Sequence, residues 1–117
     1  MGELVLYLVK YENDQKAAML ADPAMRDRAD IHRRAIADFG GRPIAQFGSY
    51  GDYDMVYIYE MPDATALAAN LHLTDSFGLA KYSKVVPLLA AEDMVESLRQ
   101  AAETETGYSP ATPRRDD

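Results

Sequence analysis

The run Phe47-Gly48-Ser49-Tyr50-Gly51-Asp52-Tyr53-Asp54-Met55-Val56-Tyr57-Ile58-Tyr59-Glu60-Met61-Pro62-Asp63 constrains the fold more than any other stretch of this chain. Turn residues around Gly51 separate two segments of strand composition, which is the pattern of a hairpin. Pro62-Asp63 stops the second strand, and Asp63 is placed to cap a following helix. Strand–turn–strand–helix is therefore expected over about a seventh of the chain. Tyr50, Tyr53, Tyr57 and Tyr59 are crowded into it, and alternation sends Tyr57 and Tyr59 to one sheet face.

The rest of the chain extends this unit on both sides. Glu3–Tyr11 reads as a first strand, with Leu4, Leu6 and Leu8 on one face and Val5, Tyr7, Val9 and Tyr11 on the other. Both faces are apolar, which suits a strand covered on both sides. Asn13–Ala21 reads as a short helical turn. Asp22-Pro23 opens a main helix that runs to about Phe39, with Met25, Ala29, His32, Ile36 and Phe39 as its buried stripe and Gly40-Gly41 as its stop. The hairpin strands are expected over 42–50 and 52–61, around Gly51. A helix follows over Ala64–Leu71, a connector over His72–Gly78, a fourth strand over Leu79–Leu89 and a terminal helix over Ala91–Ala102. Pro87 marks a strand end or an edge position.

That order, β-α-β-β-α-β plus a C-terminal helix, is an α+β ferredoxin-like arrangement with both helices on one face of the sheet. Residues 1–103 are expected to form the domain, and 104–117, rich in Thr, Pro, Ser and charge, a disordered acidic tail. In this reading the helices cover one sheet face, and Tyr7, Val9, Tyr11, Met55, Tyr57 and Tyr59 lie on the other. Such a face is too apolar to stand in water, so a homodimer through it is expected.

Composition narrows the function classes. The 117 residues carry a net charge of −7, about four of those negative charges coming from residues 92–117. An acidic chain repels phosphates, so nucleic acid is not an expected partner. The absence of cysteine excludes disulfides, thiolate nucleophiles and Cys-ligated metals. No run has the length of a transmembrane helix and the N-terminus lacks a basic leader, so no membrane is expected and the cytoplasm is the expected location.

Gly51-Asp52-Tyr53-Asp54, followed by Met55–Asp63, resembles the signature of the GYD-domain family. Gln15, Pro23, Arg28-Ala29 and Gly40-Gly41 fall where that family has similar residues, so the resemblance covers roughly residues 4–98. It implies membership of the dimeric α+β barrel superfamily, in which two ferredoxin-like sheets pack face to face. Superfamily relatives include polyketide cyclases, cofactor-independent monooxygenases, muconolactone isomerases and haem-degrading enzymes, so fold membership does not fix an activity.

The expected site is a Tyr-lined cavity, between helices and sheet or at the sheet–sheet interface. Tyr7, Tyr11, Tyr59, Tyr82 and Met55 are the candidate substrate-binding residues, because phenols offer an apolar body with one polar tip. Tyr57, His72 and Asp75 are the candidate catalytic residues. The segment Leu71-His72-Leu73-Thr74-Asp75-Ser76-Phe77-Gly78 is similar to one in plant polyketide cyclases. There a paired histidine motif precedes a Phe-Gly pair; His72 matches the first histidine and Asp75 stands at the second, the base of that family. The counter-reading of the tyrosines is interface packing, and that of His72 is a surface residue.

His32 reads as a core or interface histidine, and two histidines so far apart make no metal-ligand spacing. No metal and no cofactor are expected. Asp52 reads as a turn residue, whereas Asp54, early in a strand, is placed either to cap a backbone group or to face the cavity mouth. Arg26, Arg28, Arg33 and Arg34, interleaved with Asp27, Asp30 and Asp38, read as a solvated helix face. Lys10, Lys81 and Lys84 read as edge protection or as a contact for an anionic group.

The expected function is a cofactor-independent small-molecule enzyme, with cyclase- or isomerase-like proton transfer on an aromatic or polyketide-like metabolite. A non-catalytic ligand-binding or assembly module is the alternative. A cofactor-independent monooxygenase of phenols is a further one, distinguished by oxygen consumption.

Overall fold

A computed structural model describes residues 2–111. The elements are β1 (Glu3–Tyr11), α1 (Asn13–Ala21), a 3-10 turn (Pro23–Met25), α2 (Arg28–Ala37), β2 (Arg42–Gly48), β3 (Met55–Met61), α3 (Ala64–Ser76), β4 (Ala80–Leu88) and α4 (Ala91–Glu103). The strands form one antiparallel sheet in the order β2-β3-β1-β4. This is the ferredoxin-like fold. Residues 104–111 of the expected tail are exposed and carry no helix or strand; 112–117 lie outside the described residues.

Three expected boundaries move, each for a local reason. The helix expected from Asp22 divides into a 3-10 turn and α2. Asp22 does cap, accepting from the Ala24 amide at 3.0 Å, but Asp27 caps again, accepting from the Asp30 amide at 3.0 Å. Arg26 fixes the break by donating to the carbonyls of Met19 and Leu20, each at 2.8 Å. The helix capped by Asp63 runs on to Ser76, so most of the expected connector, His72 included, is helical. The hairpin has a six-residue connection over 49–54, closed by Ser49 N–H donating to Asp54 O at 2.8 Å. Gly51 has no positive φ, and open space lies where its Cβ would be, so no turn geometry demands glycine there.

The stop at Gly40-Gly41 is as expected. Gly40 takes φ +81°, and the Gly41 amide reaches back to Ile36 O at 2.8 Å. That is the six-to-one bond of a Schellman ending, which a left-handed residue permits.

The largest correction concerns the sheet faces. Alternation grouped Tyr7, Val9, Tyr11, Tyr57 and Tyr59 correctly, but this set lies beneath the helices and is the core. Val5, Tyr7, Val9, Tyr11, Ile36, Tyr57, Tyr59 and Met61 are its buried residues, each at most 5% exposed. The opposite face carries Leu4, Leu6 and Leu8 of β1, register-paired with Ile58 and Val56 of β3 and with Leu88 and Val86 of β4. These side chains are only half-buried. Polar residues frame that same face: Lys10, Arg42, Glu60 and Lys84 all share its phase. Tyr82 shares it too, opposite Lys10. β4 is an edge strand, which accommodates Pro87 as expected.

Among the described residues no helix is long and apolar enough to cross a membrane. α4 has no buried residue, and its apolar stripe of Met94, Val95 and Leu98 stands exposed. A surface ladder of Glu96, Arg99 and Glu103 runs along it.

Candidate functional site

A cavity of about 230 Å³ opens between α2 and the tyrosine face of the sheet. Its floor is Tyr7, Val9 and Tyr11 of β1 with Tyr57 of β3. Arg28, Ile31, His32 and Ala35 of α2 form one wall, and Thr74, Phe77 and Leu79 form the other. The α2 residues recur at three- and four-residue spacing, which puts them on one helical stripe. Two side chains hold this stripe to the sheet: Gln46 Nε2 donates to Ala29 O at 2.9 Å, and the Tyr57 hydroxyl donates to Arg28 O at 3.3 Å.

His32 lies flat on Tyr57, with centroids 3.8 Å apart and planes 10° apart, and meets Tyr59 edge-on at 5.0 Å. Its Nδ1 is buried without a hydrogen-bond partner. Burial disfavours the imidazolium and lowers its pKa to about 4, so the ring is neutral near pH 7. The Tyr11 and Tyr57 hydroxyls lie 3.2 Å apart, and with the Tyr57 proton on Arg28 O the Tyr11 hydroxyl donates to Tyr57. Burial is the main cause that raises the Tyr57 pKa, with Tyr11 adding to it. Burial likewise raises those of Tyr59 and Tyr7. All three phenols are therefore held in the protonated form, able to donate a hydrogen bond without carrying charge.

The histidine has a testable pH signature. A pKa depressed in the folded state means that the unfolded chain binds this proton first. Its neutral form thus stabilises the fold fully above the unfolded value of about 6.5. That contribution falls as pH drops from 6.5 towards 4, by up to about 3 kcal/mol in total. His32→Phe is expected to flatten this part of the stability–pH curve in urea titrations. An imidazole resonance of His32 that titrates above pH 6 would contradict it.

The expected site residues divide by position. Tyr7, Tyr11 and Tyr57 line the cavity. Tyr59 is only 1% exposed and lies outside that lining, with its hydroxyl buried and unpartnered. Removing such a hydroxyl relieves a desolvation cost, so Tyr59→Phe is expected to stabilise the fold by about 1 kcal/mol in chemical denaturation. Met55 is half-buried and packs against the core cluster, outside the cavity lining. His72 is exposed on α3 and is not among the lining residues. Asp75 is also exposed and borders an adjoining hollow with Tyr7, Tyr82 and Ser83. Tyr7, Thr74 and Leu79 line both spaces.

Two cavity residues escaped the expected site. Arg28 was assigned to the solvated face together with Arg33 and Arg34. The latter two do pair with Asp30, but Arg28 turns inward, its guanidinium carbon 5.2 Å from the Tyr11 ring centroid. His32 is packed against the core, as expected, yet also faces the cavity. The available signal was the spacing: Arg28, His32 and Ala35 occupy one stripe.

The Gly51–Asp54 motif acts as a clamp beside this site. β1 carries a register shift between Lys10 and Tyr11. The Tyr11 amide there donates to Asp54 Oδ2 at 2.9 Å, and the Asp54 amide returns to Val9 O at 2.8 Å. Lys16 and Lys10 reach Asp54 Oδ1 at 2.6 and 3.4 Å. Lys10 also donates to Gly51 O at 3.3 Å. The Tyr82 hydroxyl donates to Asp52 O, and the Tyr82 ring meets Tyr53 edge-on. Asp54 thus caps a backbone group, one of its two expected roles.

The profile of the GYD domain matches residues 6–98. The chain belongs to the GYD-domain family. In this GYD domain residues Gly51–Asp54 of the signature hold the β1 irregularity against the β2–β3 connection and do not line the cavity, whereas Tyr57, further along the signature, does. The GYD fold is consistent with the dimeric α+β barrel superfamily. A comparison with curated proteins found no significant match.

Proposed function

We propose that this GYD domain is a small-molecule enzyme that performs proton-transfer chemistry, of the cyclase or isomerase kind, on a planar carbonyl compound bound beneath α2. The observation that carries this reading is the convergence of a neutral imidazole with an unpartnered Nδ1 and a protonated hydroxyl pair on one mostly apolar cavity. Small-molecule sites have this character, with few polar groups in an apolar lining.

The roles follow from protonation state. A protonated Tyr57, turning its one O–H from Arg28 O while it accepts from Tyr11, donates to a carbonyl oxygen and stabilises the negative charge that develops there when an adjacent C–H bond breaks. His32 Nδ1 accepts that proton and returns it to another carbon, which is an isomerisation. In ring closure the enolate carbon instead attacks a second carbonyl carbon of the same compound, and His32 gives the proton to the alkoxide oxygen so formed. Negative charge growing beside His32 raises its pKa, which moves a weak base towards useful strength as the reaction proceeds. His72 and Asp75 stand outside this constellation. Asp75 is close enough to raise the pKa of Tyr7, after burial, the leading cause, and it is the candidate for a second proton relay through Tyr7.

Solvent-deuterium exchange at the α-carbon of a bound aryl ketone, followed by proton NMR, tests the reading. Tyr57→Phe is expected to slow enzyme-dependent exchange at least about 100-fold while binding persists. Binding without exchange above the buffer rate would leave the non-catalytic ligand-binding module.

The same proposal includes a homodimer, now through the face bearing Leu4, Leu6, Leu8, Val56 and Ile58 rather than through the tyrosines. These residues, with Val86 and Leu88, form a contiguous apolar surface that no element of the same chain covers fully. A second sheet of the same kind matches it in shape and chemistry.

A further inference from the structure

Arg28 is an unusual lining residue because its charge has no anionic partner among the described residues. Among the residues that line the cavity it is the only charged side chain. None of the ion pairs among the described residues includes it. Its Nε is buried without a hydrogen-bond partner, while one terminal nitrogen donates to Met25 O at 3.3 Å. A guanidinium cannot shed its proton to escape burial. The remaining way to satisfy Nε is an acceptor, and the one that also answers the charge is an anion. Of the residues lining the two spaces, Asp75 is the one acidic side chain, and it borders the adjoining hollow and not the cavity that holds Arg28.

Net charge sharpens the point. The chain carries −7 overall, so its general field opposes anions. A cavity whose single charge is positive, and whose other donors include the Tyr7, Tyr11 and Tyr57 hydroxyls, runs against that field. Size limits the ligand. About 230 Å³ falls below the roughly 300–1,000 Å³ of drug-sized pockets, which leaves room for one or two rings. The apolar lining at Val9, Ile31 and Phe77 favours an apolar planar body.

We infer that the cavity takes a small planar aromatic or conjugated carboxylate, with the carboxylate on Arg28 and the ring between the two walls. This rests on the reading of the cavity as a small-molecule site and adds the charge and size of what enters it. A carboxylate on Arg28 also brings negative charge to the cavity that holds His32.

Calorimetric titration and NMR with benzoate, cinnamate and 2-naphthoate, each beside its primary amide, test the inference. For the intact chain, at least one carboxylate is expected to bind about tenfold or more tighter than its amide, and to raise the pKa of the His32 imidazole. Arg28→Met is expected to abolish the preference, and Arg28→Lys to reduce it while keeping the charge. Should Arg28→Met not fold, by its thermal melt, Arg28→Lys decides, because an undiminished preference there overturns the assignment. Amides that bind as tightly as carboxylates overturn the anion and leave the cavity reading standing. No binding by any of the six, with no shift at His32 or Tyr57, overturns both.

Discussion

Asp54→Ala is expected to destabilise the domain by about 3 kcal/mol. The carboxylate is 7% exposed and receives the Tyr11 amide at 2.9 Å, Lys16 at 2.6 Å and Lys10 at 3.4 Å. Removing it strands a buried backbone N–H at the β1 register shift and leaves two lysines without their partner. The lysines are themselves partly exposed, so water recovers some of their loss and the figure stays below that of a fully buried pair. Burial is the strongest influence on the Asp54 pKa and raises it. The Lys16 and Tyr11 hydrogen bonds and the two lysine charges outweigh it, and the net pKa lies below the ordinary carboxylate value. The sign follows: this contribution is present above the unfolded value near pH 4 and is lost as pH falls through the lower folded value. Urea denaturation at neutral pH checks the magnitude. A loss under about 1 kcal/mol would show that the clamp is ornamental. Gly51→Ala, in the same motif, is expected to be nearly neutral, since neither φ nor space demands glycine there.

Ile58→Lys is expected to dissociate the proposed homodimer, raising its dissociation constant at least about 100-fold, because a charge buried at an interface without a partner is costly. Ile58 is flanked by Leu6 and Ala45 in the register, so it occupies the middle of the open face. Sedimentation at micromolar concentration reads the result, and circular dichroism checks that the sheet persists. Ala68→Lys, on the exposed side of α3, serves as the control and should leave association unchanged. A wild-type chain that sediments as a monomer would remove the dimer proposal.

Much of the fold was legible because local chemistry and long-range order agreed. Asp63 caps α3 at the expected residue, accepting the Ala66 amide at 2.8 Å, and Gly40-Gly41 ends α2 by a left-handed turn. The site was legible in part. Tyr7, Tyr11 and Tyr57 could be grouped by alternation alone, but Arg28 resembled its solvated neighbours because charge on a helix says nothing about which way that helix is rolled. His72 and Asp75 drew attention through resemblance, and the extension of α3 to Ser76 carried both to exposed positions.

The sequence by itself determined the strands, the order of the helices, the caps at Asp22 and Asp63 and which side chains share each sheet face, but not the second cap at Asp27 or the length of α3. It left the choice of inner face open, because Leu4-Leu6-Leu8 and Val5-Tyr7-Val9-Tyr11 are both apolar and hydrophobicity cannot rank them. A faint signal was present: Lys10, Arg42, Glu60 and Lys84 all share the phase of the leucines. Only the tertiary structure decided the matter, by closing α2 over the tyrosines so that His32 stacks on Tyr57 and the Tyr11 and Tyr57 hydroxyls find partners. The physical reason is that covering a face depends on where the crossover helices return in space. The two-residue period of a strand records two faces and is silent on which one they meet.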